Sequence, residues 1–148
     1  MRKIMLASAA ALTAVAFAAP ASAIESADML LLDSGSGYYG PNRVDGNCQA
    51  GPGATLDLNY VTYVVRGVAQ ASSTSGAVPV ATTISCWIKD TVSGAVWGPA
   101  VTGFAPTGTA AAAGTIQARS TGYLKVCTEA FALFNDNRPA AHYKTAGC

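Results

Sequence analysis

The most regular alternation of apolar and polar positions in the chain lies in residues 80–90. An extended chain would turn Val80, Thr82, Ile84, Cys86 and Ile88 to one side, and Ala81, Thr83, Ser85, Trp87 and Lys89 to the other. A period of two residues is typical of a half-buried strand, and β-branched side chains pack well on a pleated surface. The pattern therefore predicts a strand that carries Cys86 on its apolar side and Trp87 on its polar side.

Comparable strand patterns recur along the chain, with turn-forming residues between them. They cover residues 56–71, 95–104, 109–119, 123–134 and 140–144. Ser93-Gly94 is a hairpin signal, and Pro99 removes a donor from its strand, which predicts an edge position or a bulge there. Because no convincing helix interrupts this series, the sequence predicts an all-β fold, namely a small disulfide-stapled antiparallel β-sandwich of immunoglobulin-like architecture.

Residues 34–47 break the pattern with a run of Gly, Ser, Asn, Asp and Pro. These residues favour turns, so the segment is predicted to be a long surface loop that ends at Cys48. Loops of this length are uncommon in compact domains unless they are functional or mobile. The preceding residues 24–32 fit a short helical turn or an edge strand equally well.

The N-terminus has the features of a secretory signal peptide. A basic start at Arg2-Lys3 precedes an apolar run over residues 4–19, and the run ends in Pro20-Ala-Ser-Ala23. The Ala-x-Ala ending predicts cleavage after Ala23, whereas a membrane span would need about 20 apolar residues and no cleavage site. The sequence thus predicts a secreted, extracellular protein with one domain over residues 24–148 and no membrane association after cleavage.

The charge of the mature chain excludes two classes of partner. Loss of Arg2 and Lys3 with the signal peptide leaves seven basic residues against eight acidic ones, a net charge of −1. These charges are scattered and form no basic run, so neither nucleic acid nor an anionic membrane is expected to bind.

Four cysteines in an exported chain predict two disulfides. The cysteines Cys48, Cys86, Cys127 and Cys148 are spaced too widely for a zinc site, which needs close pairs. Cys86 and Cys127 lie in strand patterns, whereas Cys48 and Cys148 end irregular segments, so we expect the pairs Cys86–Cys127 and Cys48–Cys148.

This pairing has one difficulty, because an inward Cys127 also turns Lys125 and Glu129 inward. Burying an unpaired charge costs several kcal/mol. Either a bulge shifts the phase next to Cys127, or the expected pairing is wrong.

Two stretches carry resemblances to known proteins. Ile84-Ser-Cys-Trp-Ile-Lys-Asp-Thr-Val-Ser-Gly94 and Val126-Cys-Thr-Glu-Ala-Phe-Ala-Leu-Phe-Asn-Asp136 resemble the small Ala-, Thr- and Gly-rich exported proteins of high-GC Gram-positive bacteria. That resemblance implies export from the cell and does not indicate an activity. Cys86-Trp87 and the strand near Cys127 also resemble immunoglobulin-like domains, in which a tryptophan packs near an inter-sheet bridge. The resemblance implies an architecture and not a family.

No catalytic constellation is apparent, so the chain is not expected to be an enzyme or to hold a cofactor or metal ion. His142 is the single histidine, and neither a nucleophile elbow nor a calcium-loop spacing occurs. The candidate binding residues are Tyr38, Tyr39 and Arg43 in the 34–47 segment and Trp87 on its strand, because exposed aromatic and Arg side chains dominate recognition surfaces.

Two functions follow as hypotheses. The first is a non-catalytic secreted or cell-surface binding or structural domain whose partner is a cell-wall glycan or an extracellular protein. The alternative is a secreted protease inhibitor that presents a disulfide-tethered loop with Arg43 or Tyr39 as its specificity residue, since a pre-organised loop gains affinity.

Overall fold

A computed structural model describes residues 31–55, 60–119 and 123–148. The signal peptide expected over residues 1–23 and the segment 24–30 lie outside these ranges. The described strands are β1 (Leu31–Tyr39), β2 (Asn42–Thr55), β3 (Tyr60–Ser73), β4 (Pro79–Asp90), β5 (Val96–Ala105), β6 (Thr109–Arg119), β7 (Leu124–Phe134) and β8 (Ala141–Lys144). Within the same ranges, no helix is long and apolar enough to cross a membrane.

The strands form two four-stranded antiparallel sheets that pack face to face. The first sheet has the order β1-β2-β3-β6 and the second has the order β5-β4-β7-β8. Consecutive strands form the hairpins β1-β2, β2-β3, β4-β5 and β7-β8, while the chain changes sheet between β3 and β4 and again on both sides of β6. The expected all-β sandwich is therefore confirmed.

Alternation along the strands builds the core between the sheets. On β4, Thr82, Ile84, Cys86 and Ile88 are all buried, as the sequence predicts. Val80 belongs to the same series but is 46% exposed, because the β4–β7 register shifts between Pro79 and Ala81 and changes the phase of the strand there. The facing strands β2, β3 and β6 contribute mainly Val, Ala and Ile, so the two sheets approach closely.

The segment 34–47 is not a loop. It forms most of the β1–β2 hairpin, whose tight turn at Gly40-Pro41 places Gly40 at φ 59°. A Cβ on Gly37 would lie 1.9 Å from the backbone oxygen of His142, and one on Gly35 would lie 2.2 Å from the ring of Tyr143. These strand glycines therefore permit β8 to pack against β1, which is the role of a glycine where another chain segment approaches closely.

The disulfides are Cys48–Cys86 and Cys127–Cys148, so the expected pairing is wrong. Cys48 on β2 and Cys86 on β4 both point into the core and join the two sheets. The backbone of Gly67 leaves room for them, since a Cβ there would lie 2.4 Å from the Cys86 sulfur. Cys127 lies on the outer side of β7 and holds the C-terminal segment against that strand.

The difficulty over Lys125 and Glu129 is resolved by this arrangement. The β4–β7 register runs without a shift from Ala81 to Asp90, so no bulge turns Cys127 inward. Lys125, Cys127 and Glu129 share the outer face, and Val126, Thr128, Ala130 and Ala132 share the core face.

The expectation for Pro99 is confirmed. Strand β5 lies at the edge of the second sheet, and its register with β4 shifts between Cys86 and Ile88. A missing ladder donor is harmless at an edge, and residues 98–100 form a bulge on β5 that contains Pro99.

Candidate functional site

The outward side of the β1–β2 hairpin is a polar surface on the first sheet. Its outward positions alternate with Gly37, Val44 and Gly46, which face the second sheet. We call this surface the polar hairpin face, and it comprises Ser34, Ser36, Tyr38, Arg43, Asp45, Asn47 and Gln70 of the adjacent β3. Register aligns its members in rows across the strands, with Tyr38 opposite Arg43, Ser36 opposite Asp45, and Ser34 opposite Asn47.

A network of polar contacts orders the centre of this face. Arg43 Nε donates to Asp45 Oδ1 at 2.7 Å, and the Ser36 hydroxyl donates to the same oxygen. Arg43 Nη2 also donates to Ser36 Oγ at 3.3 Å. The guanidinium carbon of Arg43 lies 5.5 Å from the centroid of the Tyr38 ring, within the range of a cation–π contact. The carboxylate and the guanidinium are thus both oriented before any ligand binds.

The electrostatics of Asp45 and Arg43 follow from this network. Partial burial raises the pKa of Asp45, but the hydrogen bonds from Ser36 and Arg43 and the positive charge of Arg43 outweigh it, and the pKa lies below its ordinary value. The hydrogen bond to Asp45, followed by the negative charge of Asp45, raises the pKa of Arg43. Both groups are therefore charged at neutral pH, and their charges cancel.

The face contains a shallow open depression of about 300 Å³. Its walls are the side chains of Ser34, Ser36, Asp45, Asn47, Val68 and Gln70, and its floor is the backbone of Gly35 and Gly46. The depression therefore presents hydroxyl, amide and carboxylate groups around a bare stretch of backbone.

The structure brings together two of the four binding residues expected from the sequence. Tyr38 and Arg43 are register partners and contact each other, and Tyr38 is 60% exposed. Tyr39 occupies the last position of β1 beside the hairpin turn and is also exposed. Trp87 lies on the outer face of the other sheet, half-buried, with Lys144 Nζ 5.8 Å from its ring centroid.

Sequence reasoning missed Asp45, Asn47 and Gln70. The first two stand beside Gly46 in a segment rich in turn formers, which by itself predicts turn residues. Yet Arg43, Asp45 and Asn47 are polar at every second position, which is the period of a strand. That alternation was the available signal.

A second exposed surface lies on the outer face of the second sheet. Register places Phe104, Thr83, Phe131 and His142 in one line across all four strands, and we call this line the aromatic row. Phe131 and His142 stack with centroids 4.2 Å apart and planes 5° from parallel. His142 Nε2 lies 2.9 Å from Glu129 Oε2.

His142 is exposed, and its contacts in the structure are with Glu129 and Phe131. Within residues 31–55, 60–119 and 123–148, no group of three His, Cys, Asp or Glu side chains could hold a metal ion. No protein-family model matches this chain, and neither a curated protein nor a solved structure matches it.

Proposed function

We propose that the protein is an exported, non-catalytic binding domain that holds an uncharged, hydroxyl-rich glycan on its polar hairpin face. The observation that carries this proposal is the arrangement of Tyr38, Arg43 and Asp45. A sugar offers alternating hydroxyl donors and acceptors on its rim and C–H groups on its ring face. The carboxylate of Asp45 accepts hydrogen bonds, Arg43 donates them, and the amides of Asn47 and Gln70 do both.

Pre-organisation supports affinity at this face. Asp45 is held by Arg43 and Ser36, so less side-chain freedom is lost when a ligand binds. The exposed ring of Tyr38 adds a rigid apolar surface on which a sugar ring can stack.

The size and charge of the face favour a small neutral ligand over a protein partner. A depression of about 300 Å³ lies at the lower end of small-molecule sites. The polar hairpin face spans three strands about 4.8 Å apart and about five residues along β1, or roughly 240 Å², whereas a stable protein interface buries about 800 Å² on each partner. The mutual neutralisation of Arg43 and Asp45 selects against a strongly charged ligand.

Secretion is part of the same proposal. Two disulfides indicate an oxidising compartment. Together with the signal peptide expected over residues 1–23, they support release to the extracellular space, where wall glycans are accessible. The immunoglobulin-like interpretation of the sandwich stays a prediction, because the sheets are crosslinked by Cys48–Cys86 and not by Cys86 and Cys127.

The test is binding to insoluble cell-wall glycan and to a panel of neutral oligosaccharides, measured by pull-down and isothermal titration calorimetry. Tyr38→Ala and Gln70→Ala should each weaken binding about tenfold. Gln117→Ala is the matched control, because Gln117 is also exposed on the outer face of the first sheet but lies on β6, outside the polar hairpin face. Equal binding by Gln70→Ala and Gln117→Ala, or no saturable binding to any glycan, would refute the proposal.

The protease-inhibitor alternative stays a prediction with weaker support. The Cys48–Cys148 tether on which it relied is not formed, and Arg43 is engaged by Asp45 within a regular strand. An inhibitor would block a secreted serine protease, and Arg43→Ala would relieve the block.

A further inference from the structure

The aromatic row contains a slot between two of its rings. Phe104 on β5 and Phe131 on β7 both pair in register with Thr83 on β4, which lies between them. They border a groove of about 520 Å³ whose lining includes Thr83, Ser85 and Thr102. Phe104 is 65% exposed and Phe131 is 40% exposed, so both rings stand above the sheet.

The orientation of Phe131 follows from its neighbour. His142 occupies the next strand and stacks on Phe131 almost parallel to it, with centroids 4.2 Å apart. Strands are spaced by about 4.8 Å, so the stacking direction runs across the sheet and the two rings stand upright. The hydrogen bond between His142 and Glu129 holds the outer ring of this pair. The other face of Phe131 is therefore directed over Thr83, toward Phe104.

The spacing of the two phenylalanines matches the thickness of one inserted ring. They lie two strands apart, which corresponds to about 9.6 Å between their backbones. A flat ring in contact with both side chains needs about 3.5 Å on each side, or about 7 Å between the two rings. The remaining distance leaves room for the phenylalanine side chains to lean.

The polarity of the slot defines its ligand further. The groove lining is uncharged, and the hydroxyls of Thr83, Ser85 and Thr102 lie along the groove. Glu129, the register partner of Ser85 on this face, is already engaged by His142, whereas the lining hydroxyls offer donors and acceptors to a hydroxyl or amide substituent on a flat ring.

The area of the outer face of the second sheet also favours a small ligand over a second copy of the chain. Four strands about 4.8 Å apart and on average about nine residues long, at about 3.3 Å per residue, present roughly 600 Å². A standard interface needs about 800 Å² on each partner. The groove volume, in contrast, falls within the range of small-molecule sites.

We propose that the slot between Phe104 and Phe131 is a second binding site, which takes a single uncharged aromatic ring system with a polar substituent. The ring inserts between the two phenylalanines above Thr83. This site lies on the opposite sheet from the polar hairpin face and does not depend on glycan binding.

The experiment uses 2-naphthol as the probe, with its binding to the mature disulfide-bonded protein followed by fluorescence anisotropy and calorimetry. Saturable binding of one molecule per chain is expected. Phe104→Ala should weaken it at least tenfold, because one of two stacking contacts is lost. Val96→Ala is the matched control, since Val96 lies on the same strand, is 62% exposed and lies outside the groove. Unchanged thermal unfolding of both variants would show that the fold is intact.

Three results of the binding experiment would overturn the inference. They are no saturable binding of 2-naphthol, equal weakening by Phe104→Ala and Val96→Ala, and stronger binding of methyl β-glucoside than of 2-naphthol at this site. A concentration-dependent dimer that Phe104→Ala abolishes would also overturn it, because a second copy would then occupy the slot. Glycan binding that is unaffected by Phe104→Ala would leave the two sites independent.

Discussion

Replacing Cys48 and Cys86 with alanine should destabilise the sandwich more than replacing Cys127 and Cys148 does. The first bond closes a separation of 38 residues and the second a separation of 21. Loss of loop closure in the unfolded chain alone gives about 3.9 and about 3.3 kcal/mol, respectively. Chain entropy alone therefore predicts a difference of only about 0.6 kcal/mol between the unfolding free energies of the two double variants.

The surroundings of the bonds produce the larger difference. Cys48 and Cys86 are fully buried between the sheets, so each lost sulfur leaves a void of about the size of a methyl group, at about 1 kcal/mol each. Cys127 is covered by the C-terminal segment, which can move once the bond is absent, so no closed cavity remains. The total loss should be about 6 kcal/mol for the central pair and about 3 kcal/mol for the terminal pair.

Urea unfolding without reductant measures this difference. With slopes of about 1–3 kcal/mol/M, a gap of about 3 kcal/mol separates the two midpoints by 1 M or more. Domains have only about 5–15 kcal/mol of total stability, so the variant without Cys48–Cys86 could fail to fold altogether. If it does, and the variant without Cys127–Cys148 still folds, the prediction is also confirmed. Equal midpoints, or a lower midpoint for the terminal variant, would refute this reasoning. So would a non-reduced peptide map that links Cys86 to Cys127.

Three further predictions concern single side chains. Gly37→Ala should lower the free energy of unfolding by about 3 kcal/mol or more, because its Cβ would meet the backbone of β8. Gly76→Ala meets no atom within 4 Å and should lower it by only about 1 kcal/mol, because of the positive φ at that position. A reversed order of the two urea midpoints would contradict this prediction. Asp45 has a lowered pKa, so its carboxylate contributes stability above its ordinary pKa and loses that contribution as the pH falls through the lowered value. The stability gap between wild type and Asp45→Asn should accordingly be wider at pH 7 than at pH 3, and a constant gap would count against the network. Tyr143→Phe removes the 3.1 Å hydrogen bond to Asp33 and should cost about 1 kcal/mol in the same assay, and an unchanged midpoint would show that this contact does not stabilise β8.

The strands could be predicted where local alternation is decisive. The expected strand over residues 109–119 has the bounds of β6, and the apolar series through Cys86 forms the buried face of β4 apart from Val80. A period of two residues is a property of the strand itself, so it is visible without knowledge of its neighbours. The register shift that exposes Val80 depends on pairing with β7 and left no local signal.

The hairpin at 34–47 could not be recognised in this way, because the reason for its glycines lies far along the chain. Gly35 and Gly37 are needed where Tyr143 and His142 pack against β1, more than 100 residues away in sequence. A glycine that permits close packing and a glycine that permits a turn are the same residue in the sequence. The polar alternation at Arg43, Asp45 and Asn47 was the better guide.

The phase of the cysteines could have predicted the pairing. Cys86 shares its strand face with Ile84 and Ile88, so it must bond to another core-facing cysteine. Cys127 shares its face with Lys125 and Glu129, so it must bond to a segment that crosses the outside of the sheet. Cys148 follows β8 and lies on this outer side, where it bonds to Cys127.

The crosslinks also bear on how the two candidate sites can work. Cys48 stands one residue beyond Asn47 on β2, and Cys86 stands one residue beyond Ser85 on β4, so the central bond anchors a strand of each site from the core side. Side chains that alternate with a buried crosslink are restricted in position while they remain exposed to solvent. A domain built this way can present ordered polar and aromatic groups on opposite faces without flexible loops. Loss of the central disulfide should therefore weaken ligand binding at both faces, whereas loss of the terminal one should spare the polar hairpin face.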